Sequence, residues 1–532
     1  MTEINDNRQP KSLFLYIIDH LDKNGCYDAA PLADAPERPY SYGAEDAALF
    51  HPKAEDGDLE EAKNVYLLLK AWMQDPSVKT KQLLYAKLRS IRVITVFFPL
   101  ATQLRGEKLP FDLLHLAQEW LYTAADREVL KFVYLLCGLL DLEHVRKSYS
   151  ENLYRDLFTV ARCEEFTIFL CLACQLSDVR PQKELWYLAR RTSGWGKALL
   201  LVMLNYNTPS QQDWLLKNGL DMKILWPSLA PVVIKESRLF QLLQQEQIDA
   251  ETYNAAAKSI ITYLMLLAPA EGMPEPGFEQ SLDMPIQIAL SPLLQEFLRH
   301  ARHYAVTPKS LLTIFAIRDR LELLSTEKDG AFLNPNETQR LIGLCDSLIY
   351  TKNWEPEIRS GLFDSNGDLA PDIVDFAADI GIDIWPSVME FFNSHPKNVV
   401  ALRYLMFAED WDNESRTATR RHLFLECAEA HIADYINEED ILVNLAHYLQ
   451  NFPGEGSLIL TTCLTSIYEH ARGIAAISLS HWPKEALTPA IKTAVIQAIH
   501  LNDNPFIAAM LESLLSDPPP TSPKLDQARE QK

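Results

Sequence analysis

Glycine is scarce in this chain, 18 residues of 532, where an average soluble protein carries about 7%. A fold built on glycine-rich phosphate loops is therefore disfavoured. Cysteine is thin as well: eight residues in a chain of this length do not make a disulfide framework. Their settings, such as Leu136-Cys137-Gly138 and Phe169-Leu170-Cys171, read as buried free thiols. Positive charge is in deficit, 50 Lys and Arg against 72 Asp and Glu, for a formal charge of −22. So acidic a surface repels phosphate backbones and argues against a nucleic-acid binder. Long apolar runs are missing too. Residues 13–21, 94–101 and 166–176 all fall short of the ~20 needed to span a bilayer, and residues 1–11 lack the apolar core of a signal peptide. The expectation is a cytoplasmic protein without membrane contact.

Apolar side chains nevertheless make up 48% of the chain and charged ones 23%, enough to bury a core. They recur with helical period. Val65, Leu68, Leu69 and Trp72 fall at i, i+3, i+4 and i+7, as do Val129, Phe132, Val133 and Leu136, and near the other end Ile491, Ala494, Val495 and Ala498. No Asn-Gly turn lies between β-branched runs. The predicted class is all-α, with helices of about 12–18 residues.

Punctuation recurs between the helices. Asp75-Pro76-Ser77-Val78 reads as a joint with proline at an early helical position. Ala125-Asp126-Arg127, Trp354-Glu355-Pro356, His395-Pro396-Lys397-Asn398 and Asn502-Asp503-Asn504-Pro505 are further candidates. Gly219 to Trp226-Pro227-Ser228 resembles Gly381 to Trp385-Pro386-Ser387, and Trp482-Pro483 is a third such pair. Tryptophan before a helix start packs across the turn as a staple. Irregular spacing of these pairs suggests a HEAT-like helical-repeat solenoid of antiparallel helix pairs, with degenerate repeats of about 40–47 residues. The expected divisions are an N-terminal helix and irregular connection over 1–60, helical-repeat regions over 61–270 and 286–515 separated by a Pro/Gly-rich break, and a disordered tail over 516–532.

Several constellations bear on chemistry. Asp364-Ser365-Asn366-Gly367-Asp368, with Asp372 and Asp375, approximates an EF-hand calcium loop. Leu369 stands where that loop needs glycine, however, and an Asn-Gly turn capping the next helix explains the same residues. Cys171-Leu172-Ala173-Cys174 has metal spacing but lies in an apolar helical run without a second pair, as two packed core thiols would. Asp112-x-x-His115, Asp141-x-x-His144 and His20-Leu21-Asp22 are fragments of iron-site patterns and equally polar helix faces. The compact basic and aromatic cluster is Arg190-Arg191-Thr192-Ser193-Gly194-Trp195-Gly196-Lys197. Arg190, Arg191, Trp195 and Lys197 are the candidate binding residues, suited to a phosphate or carboxylate. Ala198 follows Lys197 where a P-loop needs Ser or Thr. An inter-helix turn with arginines offsetting a helix C-terminus remains the alternative.

This segment, with Trp214-Leu215-Leu216, Gly381-Ile382-Asp383-Ile384-Trp385-Pro386 and Asn451-Phe452-Pro453-Gly454-Glu455-Gly456, resembles a poorly characterised bacterial family whose members are often labelled limonene hydroxylase. The resemblance covers much of residues 180–515 and carries no assigned functional residue. It implies an oxidoreductase acting on a small monoterpene, with a nicotinamide cofactor. The residues themselves hold no Gly-x-Gly-x-x-Gly fingerprint and no Phe-x-x-Gly-x-x-x-Cys haem context. The residue-level expectation is a non-catalytic scaffold for a protein or peptide partner, without cofactor or metal. A hydrophobic-substrate oxidoreductase is the alternative that the resemblance implies.

Overall fold

The computed structural model describes residues 12–28, 32, 43–49, 58–177, 180–224, 226–267, 288–326, 333–407, 414–501 and 504–515. Helices take up 74% of the described residues, and the class is all-α. Among the described residues extended pairing is limited to two isolated bridges, Leu21 with Tyr27 and Phe363 with Leu369. No helix there is long and apolar enough to cross a membrane. Many helices are shorter than expected. Gln182–Ala189, Trp195–Met203 and Ser457–Leu464 run only eight or nine residues. They open at Pro181, Gly194 and Gly456, none of which makes a side-chain cap, and they end at Arg190, Leu204 and Thr465.

Two compact units divide the chain, one of Met1–Ala305 with Ala316–Leu348, the other of Val306–Phe315 with Ile349–Lys532. The predicted break at 271–285 and the tail at 516–532 lie outside the described residues, as does most of 31–57.

Within the first unit, Leu59–Gln74 packs on Val93–Leu104, which packs on Arg127–Leu139, then Glu164–Leu176, then Trp195–Met203. Each of these helices thus touches one roughly two helices further on. The second unit repeats the scheme: Glu439–Leu449 on Glu469–Ser480, Ser457–Leu464 on Pro489–Leu501, and Glu469–Ser480 on Pro505–Leu515. The most enclosed helices are apolar on nearly every side, as Phe132, Val133, Leu135 and Leu136 on one and Phe166, Phe169 and Leu172 on another attest.

The joints work as capped turns, with one change. Ser77, not Pro76, opens Val78–Arg89: its hydroxyl and that of Thr80 cap each other's backbone N–H, and Pro76 precedes the cap. Asp126 is the N-cap of Arg127–Leu139 but does not cap it through its side chain. Its carboxylate accepts the Tyr85 hydroxyl instead, at 2.8 Å. Asn398 caps Val399–Phe407 as expected. All three Trp-Pro indoles are buried. Trp226 caps a 3₁₀ turn, Trp385 begins a helix, and Trp482 donates Nε1–H to Leu449 O at 2.9 Å. The glycines before the first two differ, since Gly219 is helical while Gly381 takes φ +71°.

Candidate functional site

The basic cluster occupies the joint between Gln182–Ala189 and Trp195–Met203. Its short second helix exposes unpaired N–H groups that attract an anion. The chain supplies one itself. Glu164 Oε1 accepts Ser193 N–H, the Ser193 hydroxyl at 3.1 Å and Gly194 N–H at 2.7 Å. A Cβ on Gly194 would overlap Glu164 Oε2, and one on Gly196 would overlap Thr167, so both glycines serve close approach.

The four predicted binding residues do not converge on one point. Arg190 is exposed and its guanidinium stands 5.7 Å from the Trp186 ring and 5.8 Å from that of Trp214. Lys197 approaches Trp214 at the same 5.8 Å, yet it is buried. Its ammonium donates to Asn218 O at 3.0 Å and Asp221 O at 2.8 Å, and burial lowers its pKa. Trp195 lies 6.0 Å from Trp226, ring to ring. Arg191 takes another direction. It stacks 3.5 Å over Tyr187 and donates to Tyr187 O at 3.0 Å and Asn24 O at 2.9 Å. There it meets Arg162, 5.2 Å from the same ring. Sequence reading passed over Arg162 and Tyr187. The available signal was positional: Arg162 stands in the joint after Glu151–Val160, as Arg191 stands after Gln182–Ala189.

A second polar cluster lies in the core. Lys131 is fully buried, and its ammonium reaches Asp46 Oδ2 at 2.7 Å, Glu128 Oε1 at 2.9 Å and Glu165 Oε1 at 2.8 Å. Arg92 pairs with Glu45 and with Glu128, and Arg127 stands 3.6 Å from Glu165. Backbone donors help: Val93 N–H bonds Glu128 Oε2 at 2.8 Å, and Gly43 N–H bonds Glu165 Oε2 at 3.4 Å. Asp46, Glu45, Glu128 and Glu165 thus face Lys131, Arg92 and Arg127, an excess of one negative charge if all are ionised. Burial, opposed by Lys131, pushes the Asp46 carboxyl up to about 7, and a proton there removes the excess. Lys131 is held above its usual pKa by the three carboxylates despite its burial. The cluster is legible only as charges inside the apolar run Glu128-Val129-Leu130-Lys131-Phe132.

The calcium-like loop is a turn. Asp364 Oδ1 accepts the N–H groups of Asn366 at 2.7 Å and Asp368 at 3.0 Å, with Gly367 at φ +84°. Asp22-Lys23-Asn24-Gly25-Cys26 repeats it, with Asp22 Oδ1 accepting from Asn24 and Cys26 at 2.8 Å each and Gly25 at φ +76°. Both turns close an isolated bridge. Cys171 and Cys174 are buried, and desolvation raises both thiols, Cys174 to about 12, which leaves them protonated and inert. Among the described residues no three His, Cys, Asp or Glu side chains are placed to hold a metal ion.

What the fold defines is an all-α protein. No protein-family model, curated protein or solved structure matches the chain.

Proposed function

We propose that the chain is a helical-repeat scaffold, HEAT-like in its stacking of helix pairs, that binds a protein or peptide partner and has no catalytic role of its own. One observation carries this reading: polar cross-links recur at a repeat-length offset. Tyr85 bonds Asp126, 41 residues on, and Tyr122 bonds Asp156, 34 on. Leu142 N–H bonds the Ser177 hydroxyl, 35 on, and Lys217 pairs with Glu251. In the second unit Asp383 takes Arg420, 37 on, Arg421 takes Glu455, 34 on, and Glu469 takes Asn504, 35 on. Such an offset is what successive helix pairs produce when each touches the next. Apart from the Tyr85–Asp126 link it runs shorter than the about 40–47 residues of HEAT units, in keeping with the short helices. Arrays of this kind bury one core and present an extended surface, which suits a polypeptide ligand better than a small molecule.

The oxidoreductase that the resemblance implies fits these residues poorly. Hydroxylation of an unactivated carbon needs haem, non-haem iron or flavin chemistry. The raised thiols of Cys137, Cys171, Cys174, Cys345 and Cys463 are unsuited to a thiolate ligand. The test pairs two measurements on the tagged full chain isolated from its source cell. A stoichiometric protein partner retained at about 0.15 M salt, without bound iron or flavin, is the expected result. Stoichiometric iron or flavin with no partner would overturn it.

A further inference from the structure

Arg162 and Arg191 come from different joints and end on the same tyrosine. Their guanidiniums carry five N–H donors each, and together they make four hydrogen bonds. Arg162 donates to Gly25 O at 3.5 Å and to the Tyr187 hydroxyl at 3.4 Å, and Arg191 donates to Asn24 O and Tyr187 O. Every acceptor is neutral. Arg162 Nε is buried and has no acceptor at all. Among the described residues neither arginine has a carboxylate within ion-pair distance, in a chain with 72 acidic side chains. The nearby Asp22 commits Oδ1 to the backbone of its own turn instead.

Both groups are held in place. Asn24 and Gly25 present their carbonyls from the Asp22 turn, and a Cβ on Gly25 would stand 2.6 Å from Arg162 Nη1 and 3.5 Å from Arg191 Nε. Two like charges thus share a glycine-sized gap and one aromatic ring, while Tyr187 keeps 45% of its surface exposed. Carbonyls orient such cations without neutralising them. An oxyanion reaching both guanidiniums would supply the missing charge and use the free donors in parallel.

We infer that Arg162, Arg191 and Tyr187 form a binding site for an oxyanion, carboxylate or phosphoryl, carried by a peptide segment of the partner. This deepens the scaffold reading and rests on it for the peptide. Arg190 and Lys197 lie outside the site, because their contacts are with Trp214 and with backbone carbonyls.

Calorimetric titration of the full chain tests it with three probes: inorganic phosphate, an Asp/Glu-rich peptide, and a phosphoserine peptide with its remaining acids amidated. Whichever peptide carries the matching oxyanion is expected to bind, in competition with phosphate. Arg162→Gln with Arg191→Gln should weaken that binding at least about tenfold, while Arg155→Gln, at an exposed arginine elsewhere, leaves it unchanged. Arg162→Lys with Arg191→Lys keeps charge and fold but loses the planar fork, and several-fold weakening is expected there too. Peptide binding equal in the wild type and both double variants would overturn this site and leave the scaffold reading standing. Arginine-dependent binding of phosphate with neither peptide bound would overturn the peptide assignment. No binding of any probe would overturn the site itself.

Discussion

At Gly196 the packing leaves room for a hydrogen and nothing larger. The Thr167 side chain fills the space, and it is pinned because its hydroxyl donates to Ala161 O at 2.7 Å. Gly196→Ala should therefore cost about 1–3 kcal/mol through overpacking. Gly343 is the internal comparison: it lies in Pro335–Ile349 with open space where a Cβ would go. Gly343→Ala is expected to gain up to about 1 kcal/mol from reduced chain entropy. Urea denaturation of the two variants should thus move in opposite directions. Glu164→Ala belongs with the first, since it strips the acceptor from three donors at the start of Trp195–Met203, at about 1–3 kcal/mol. The sequence showed the two glycines around Trp195 but not their reason. Thr167 and Glu164 are some thirty residues away, and no local pattern connects them.

Ala44–Leu49, a helix of six residues, is too short to be stable alone and is fastened by one buried carboxylate, Asp46, on Lys131. Removing the lysine leaves three buried carboxylates without their common cation. Lys131→Met is expected to cost about 3–5 kcal/mol, as broken buried pairs do. Asp46 gives the element a pH signature. Its folded pKa of about 7 lies above the ordinary 3.8, so between those values the folded chain holds a proton that the unfolded chain releases. Stability contributed by Asp46 is full below about pH 4 and is lost as pH rises through about 7. The carboxylates lowered by their partners, Asp22, Glu107 and Glu143 among them, act with the opposite sign, their contribution being lost as pH falls. Unfolding free energy measured from about pH 4.5 to 7.5 should therefore fall less steeply in Asp46→Asn than in the wild type. Equal slopes would mean that Asp46 stays ionised throughout. Helix 127–139 itself was plain from its apolar period. The salt cluster was not, because its members come from four separated segments and only Glu128 and Lys131 share a helix face.

Across the whole chain the periodic apolar positions sufficed for the all-α class, and the buried Trp-Pro pairs marked real joints. The proposed repeat leaves no sequence consensus for a physical reason. At each step the same task falls to a different pair, Tyr with Asp, Arg with Glu or Ser with a backbone amide, so no consensus accumulates in the sequence. Stability in such an array is a sum of helix-pair terms and nearest-neighbour interfaces. Trp482 makes this testable, because it is buried and bonds Leu449 O, 33 residues earlier. Trp482→Ala should cost about 3–5 kcal/mol locally. If coupling runs only between neighbours, amide-exchange protection drops in Glu439–Leu449, Glu469–Ser480 and Pro489–Leu501. Pro371–Asp379 and Trp385–Ser394, at the other end of the same unit's sequence, then keep theirs. Trp482→Phe, which retains the ring and loses the bond to Leu449, should show the same graded pattern at smaller amplitude. A uniform loss of protection from Pro371 to Leu501 would instead mark one all-or-none core, and the repeat reading would fail with it.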